Sequence, residues 1–111
     1  MNKNKNLSLV LVTIDTHENA KKLVLTLLEE KLIACGNIIP EITSIYTWKE
    51  KIEESKESLI IMKTSEDFTQ KLTEKIKEFH PYEVPEIVFI EPSEVSDAYK
   101  NWVFDCCREK S

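Results

Sequence analysis

The chain has two histidines, His17 and His80, and three cysteines, Cys35, Cys106 and Cys107. Metal chemistry at imidazole or thiolate is confined to these positions and the carboxylates near them. The densest group is EFHPYEVPEI, residues 78–87, where His80 precedes Tyr82 and Glu83 between two prolines. A neutral imidazole is a borderline ligand that suits copper or zinc, and a nearby carboxylate adds charge. His80 and Glu83 are therefore the candidate ligands for copper(II) or another divalent cation. Binding should be modest, because no second histidine or thiolate is evident beside them. In an extended segment His80 and Tyr82 share a face and Glu83 points the other way, so spacing alone does not make a chelate. A structural reading stands beside this one: His80 ends a helix, and Pro81 and Pro85 lock the turn.

The other candidates are weaker. His17 falls in the first turn of a helix and should be solvated. Cys106 and Cys107 are neighbours on a helix, so their side chains diverge by about 100°. That directs Cys106 to the core and Cys107 to the surface. Cys35 sits at a strand start and packs as a small hydrophobe. No closed zinc set, Ser-His-Asp set, phosphate loop or dinucleotide fingerprint is present. No tightly bound cofactor and no enzyme active site are expected.

The elements that must position these residues follow from periodicity. LSLVLVTI, residues 7–14, is apolar and β-branched and reads as a strand buried on both faces. Asp15 or Thr16 caps a helix running to about Glu30, with Glu18 completing a capping box if Asp15 is the cap. Residues 33–64 read as one long hairpin with a charged middle, Lys49–Lys56. Pro40 marks a bulge or an edge, and Gly36, the only glycine, a bulge or a close backbone approach. Thr64 or Ser65 caps a second helix with Phe68, Leu72, Ile76 and Phe79 as its buried stripe. Pro81 disfavours helical geometry at His80 and ends that helix. Residues 86–91 form a fourth strand. Ser96 and Asp97 start a last helix with Tyr99, Trp102, Val103 and Cys106 on one face.

The order β-α-β-β-α-β-α predicts an α+β fold: a ferredoxin-like split βαβ sandwich with a C-terminal helix. One domain is expected over residues 7–108, after a disordered tail at 1–6. With 111 residues, a hydrophobic share of 41% and a net charge of −5, the chain can build one core. It lacks the basic field that nucleic acid or an anionic membrane demands. No signal peptide or membrane-spanning stretch is read, and odd, unframed cysteines suit a reducing cytoplasm. Hairpin arms of about 12 residues are twice the usual strand length. Their distal apolar residues Ile45, Tyr46, Trp48 and Ile52 exceed what two helices can cover, so a neighbouring chain is expected to cover them.

Four motifs in order carry a resemblance: ACGNIIPEITSIYTWKEKIEE, then Lys63-Thr64, then HPYEVPEI, then YKNWV at 99–103. Together they resemble the CutA family of divalent-cation tolerance proteins over roughly Leu9–Val103. The resemblance implies a ferredoxin-like subunit in a homotrimer whose long hairpins pair with neighbours. In fold and assembly it is also similar to the PII signalling proteins. It implies a role in tolerance to copper and other divalent metals, with no enzyme activity. It further implies an inter-subunit cleft or interface, to which Trp48, Lys63, Tyr82, Tyr99 and Trp102 are assigned. The two tryptophans read equally as packing anchors, and Lys63 as half of a structural ion pair. Two departures stand out. Glu50 occupies a hairpin position where the family commonly has glycine. Val12 stands where some bacterial members carry a cysteine proposed as a copper ligand.

Three functions fit: a cytoplasmic homotrimer binding divalent metal weakly, a PII-like sensor binding a small metabolite between subunits, or a structural trimer anchoring an unknown protein partner.

Overall fold

The structure, a computed structural model, describes residues 5–108; residues 1–4 of the tail expected at 1–6, and the last residues 109–111, lie outside the described residues. Eight elements follow one another: β1 (Leu7–Ile14), α1 (His17–Glu29), β2 (Cys35–Trp48), β3 (Lys51–Ser65), a 3-10 turn (Glu66–Phe68), α2 (Thr69–Phe79), β4 (Ile87–Ile90) and α3 (Asp97–Cys106). The four strands form one antiparallel sheet in the order β2-β3-β1-β4. This is the ferredoxin-like arrangement expected from the element order. Lys5 pairs with Asp67 at 3.1 Å, and the Asn6 carbonyl accepts the Glu66 N–H at 2.9 Å, so the chain is already tied down before β1.

The core lies between one sheet face and the helices. Alternation along the strands sends Val10, Val12, Ile60 and Met62 to that face, each fully buried. Ala20, Leu23, Val24 and Leu27 of α1 and Leu72 and Ile76 of α2 meet them. Gly36 is the close approach anticipated: a Cβ there would lie 2.9 Å from both methyls of Val24. On the opposite face Leu9 and Leu11 are half-buried and Ile39, Val88 and Ile90 exposed, so β1 is fully covered on one side only.

Helix ends decide where the loops go. Thr16, not Asp15, caps α1; its hydroxyl accepts the Asn19 N–H at 3.0 Å. Glu18 has no capping role, and the Asn19 amide donates to Asp15 instead. The other end is a Schellman turn without glycine: Lys31 N–H reaches Leu28 O, Leu32 N–H reaches Leu27 O, and Lys31 has φ 60°. Ser65 precedes a 3-10 turn rather than capping α2 directly, so Phe68 enters the core from that turn. Phe79 belongs to the expected stripe but is exposed, because the helix stops there and its last turn overhangs the core.

The two cysteines near the C-terminus reverse the expectation. Cys107 is buried and Cys106 only half-buried. The helix ends at Cys106, and Cys107 turns extended (φ −99°, ψ 118°), so the helical divergence never applies to it. Its thiol lies 3.8 Å from the Thr64 hydroxyl, and burial pushes its pKa up.

The hairpin is longer than anticipated: 14 residues in β2 and 15 in β3. Its charged middle is strand, not loop. Only Lys49 and Glu50 form the turn, between the paired Trp48 and Lys51, with φ of 52° and 69°. Two positive φ values define a type I′ turn. The register shifts between Ile39 and Ile42, at Pro40, whose carbonyl accepts the buried Ser58 hydroxyl at 2.6 Å. The hairpin stretches the molecule to 48 Å along its longest axis against 22 Å along its shortest.

Candidate functional site

The HPYEVPEI segment joins α2 to β4. Pro81 excludes helix at His80, which takes φ −80° and ψ 135° and ends α2. This swings the imidazole inward, to 8% exposure. Nε2 lies 2.7 Å from the Thr13 carbonyl on β1. Nδ1 accepts the Tyr82 N–H at 3.1 Å. A carbonyl can only accept, so Nε2 carries the proton and the ring is neutral. Both nitrogens are thereby engaged within the subunit. Within one subunit His80 is a bridge between β1 and the turn.

Tyr82 extends the bridge. Its ring packs edge-on to His80, with centroids 4.7 Å apart. Its hydroxyl donates to Glu57 Oε2 on β3 at 2.7 Å. Burial, reinforced by that carboxylate, pushes the phenol well above its usual value. Glu57 is itself 8% exposed, rare for a carboxylate and tolerable because it is bonded. Glu83 stays exposed.

A cleft of about 580 Å³ opens beside this bridge. Tyr46 and Trp48 of β2, Glu57 of β3, and Tyr82, Glu83 and Glu86 of the turn are among its walls. Of the expected site residues, Trp48, Tyr82 and Glu83 come together here, and His80 stands behind them. Lys63, Tyr99 and Trp102 do not join them. Lys63 lies opposite Cys35 at the other end of the β2–β3 ladder and donates to the Asn37 side-chain oxygen, an amide rather than the carboxylate of an ion pair. Cys35 Sγ lies 3.8 Å from the Tyr99 hydroxyl, and the Tyr99 and Trp102 rings are 5.6 Å apart. Burial, then the contact with Cys35, raises the Tyr99 phenol. Glu57 was not foreseen as a site residue. Its local signal, one carboxylate in the run KESLIIM, does not identify Tyr82 as its partner.

As a metal centre the arrangement is sparse. Among the described residues no group of three or more His, Cys, Asp or Glu side chains is placed to hold an ion. Val12 is buried in the core and offers no donor.

The fold and the turn sequence agree with known proteins. A family model described as CutA1 divalent ion tolerance protein matches residues 8–106. The chain belongs to the CutA family. It is 45% identical over 97 residues to the divalent-cation tolerance protein CutA of Pyrococcus horikoshii, covering 87% of this chain and 94% of that protein. The CutA of Thermus thermophilus is 42% identical over 85% of this chain and 91% of its own. Among solved CutA structures, the Ehrlichia chaffeensis divalent ion tolerance protein superposes with a TM-score of 0.87 at 45% identity, covering 92% of this chain and 95% of that one. A CutA from Archaeoglobus fulgidus, described as periplasmic, has a TM-score of 0.87 at 29% identity over 90% of this chain and 97% of its own. No helix among the described residues is long and apolar enough to cross a membrane.

Proposed function

We propose that this chain works as a cytoplasmic homotrimer that contributes to divalent-cation tolerance, copper(II) foremost, by binding the ion weakly rather than by catalysis. Membership of the divalent ion tolerance family over residues 8–106 carries the reading. Support for assembly comes from apolar surface that one subunit leaves open. Ile45, Trp48 and Ile52 are exposed along the hairpin, and Ile39, Val88 and Ile90 on the open sheet face. The register sets Ile45 and Ile52 on one face of the hairpin and Trp48 on the other, and large exposed apolar side chains on both faces are what another chain would cover.

Copper(II) is met at the HPYEVPEI turn. Glu83 offers an exposed carboxylate, and His80 Nδ1 becomes available when the ion displaces the Tyr82 N–H. That exchange supports weak affinity. Acid should weaken binding further, because protonation removes the imidazole lone pair.

Two measurements test the reading. Light scattering should give three subunits in mass; a stable monomer at micromolar concentration refutes the assembly. Calorimetric titration with copper(II) at about pH 7.5 and about pH 5.5 should show saturable binding that falls at the lower pH. Glu83→Gln and His80→Ala should each reduce it. Undiminished binding in both variants removes the turn as the site.

A further inference from the structure

We propose that the cleft between the hairpin and the HPYEVPEI turn binds a small organic ammonium ion, one with N–H donors and a short apolar body. The inference goes beyond the tolerance reading and stands whether or not copper binds. Four observations carry it.

First, the volume of about 580 Å³ falls in the range of small-molecule sites, roughly 300–1,000 Å³. Second, the walls have one sign of charge. Glu57, Glu83 and Glu86 contribute carboxylates, and no Lys, Arg or His is among the described residues lining it. Phosphates and organic acids are disfavoured there by like-charge repulsion.

Third, Glu57 is a built acceptor. It is more than nine-tenths buried, with 8% exposure. Oε2 takes the Tyr82 hydroxyl, and Oε1 has no hydrogen-bond partner among the described residues. No fully buried side-chain oxygen among them lacks a partner, so Oε1 must reach solvent, and the cleft that Glu57 lines is the opening. A lone carboxylate oxygen held this way matches one N⁺–H donor. Bare calcium or magnesium wants more oxygens around it than converge here.

Fourth, three of the remaining wall residues are aromatic: Tyr46, Trp48 and Tyr82. Ammonium groups are attracted to such ring faces, most strongly to tryptophan. The chain's own Lys49 ammonium already lies 5.8 Å from the centroid of the Trp48 ring. Carboxylate and aromatic faces together select a cation that carries hydrocarbon.

The test is calorimetric titration of the intact protein with n-butylammonium chloride, against 1-butanol and sodium butyrate at matched ionic strength. Light scattering accompanies each sample, so loss of assembly is separable from loss of binding. Saturable heat is expected with butylammonium alone. Glu57→Gln keeps an acceptor for Tyr82 but removes the charge, and should weaken binding at least about tenfold. Tyr46→Leu, at an exposed position, removes one aromatic face and should weaken it severalfold; it serves if Glu57→Gln does not assemble. Equal response to butanol would mean the cleft reads only apolar surface, and undiminished binding in Glu57→Gln would remove the buried carboxylate from recognition. Either overturns the proposal. No response from a correctly assembled trimer also overturns it, since a neighbouring subunit would then fill the cleft.

Discussion

Replacing Glu50 with glycine should stabilise the protein, although it deletes a side chain and adds no contact. The turn has two residues and both are left-handed, Lys49 at φ 52° and Glu50 at φ 69°. For an L-residue that region costs about 1–2 kcal/mol. Glycine adopts it freely but loses more backbone entropy on folding, about 0.5–1 kcal/mol. The difference favours Glu50→Gly by about 0.5–1 kcal/mol per subunit. Glu50 is exposed, so little packing is lost with its side chain. Chemical denaturation should therefore shift to a higher midpoint with an unchanged slope. Small domains gain about 4–8 °C per kcal/mol, so a rise of a few degrees is expected. Protein concentration must be held fixed, because assembly and stability are coupled. Two further variants bracket the reasoning. Lys31→Gly, at the Schellman position with φ 60°, should gain a similar amount. Lys51→Gly, one residue beyond the turn and already in β3, should lose stability. If Glu50→Gly matches or falls below the parent while Lys51→Gly behaves as stated, backbone strain at the turn is not the governing quantity.

Gly36→Ala should cost about 1–3 kcal/mol, since its Cβ would fall 2.9 Å from both Val24 methyls; the double variant with Val24→Ala should recover part of it, and thermal melts of both decide whether the clash is the cause. Tyr82→Phe should cost about 1.5 kcal/mol by leaving the buried Glu57 without its donor. The Tyr82 phenol is raised in the folded state, so its contribution is complete below the ordinary tyrosine value near 10 and declines as pH rises above it. Denaturation between about pH 9 and about pH 11 should show the parent losing stability that Tyr82→Phe does not lose.

Much of the architecture is written locally. Apolar alternation and helical stripes give every element its place, and a single proline at 81 dictates both the end of α2 and the inward turn of His80. What local signals miss are ends without their customary residue. Lys31 stands where glycine would announce the close of α1, and Cys107 leaves the helix one residue before periodicity suggests. The site is less legible for a different reason. His80 meets the Thr13 carbonyl and Tyr82 meets Glu57, partners 67 and 25 positions away. Nothing in the spacing of HPYEVPEI specifies those partners; sheet register does. The same register separates Lys63 and Tyr99 from the cleft within one subunit, although the resemblance groups them with it.

The sheet order has a consequence for synthesis. β1 is made first yet sits between β3 and β4, so its two edges are closed by segments that arrive much later. Its edge at Leu9–Val12 pairs only when Ile87–Ile90 has emerged. At about 5–20 residues per second, that interval lasts roughly 4–15 s. During it an apolar β-branched strand has an unpaired edge, a template for association with another nascent chain. The His80 bridge likewise joins an early segment to a late one, the first strand to the turn before β4. A growing chain can therefore acquire α1, α2 and the hairpin early, but the cleft comes into being only in the last step of sheet closure.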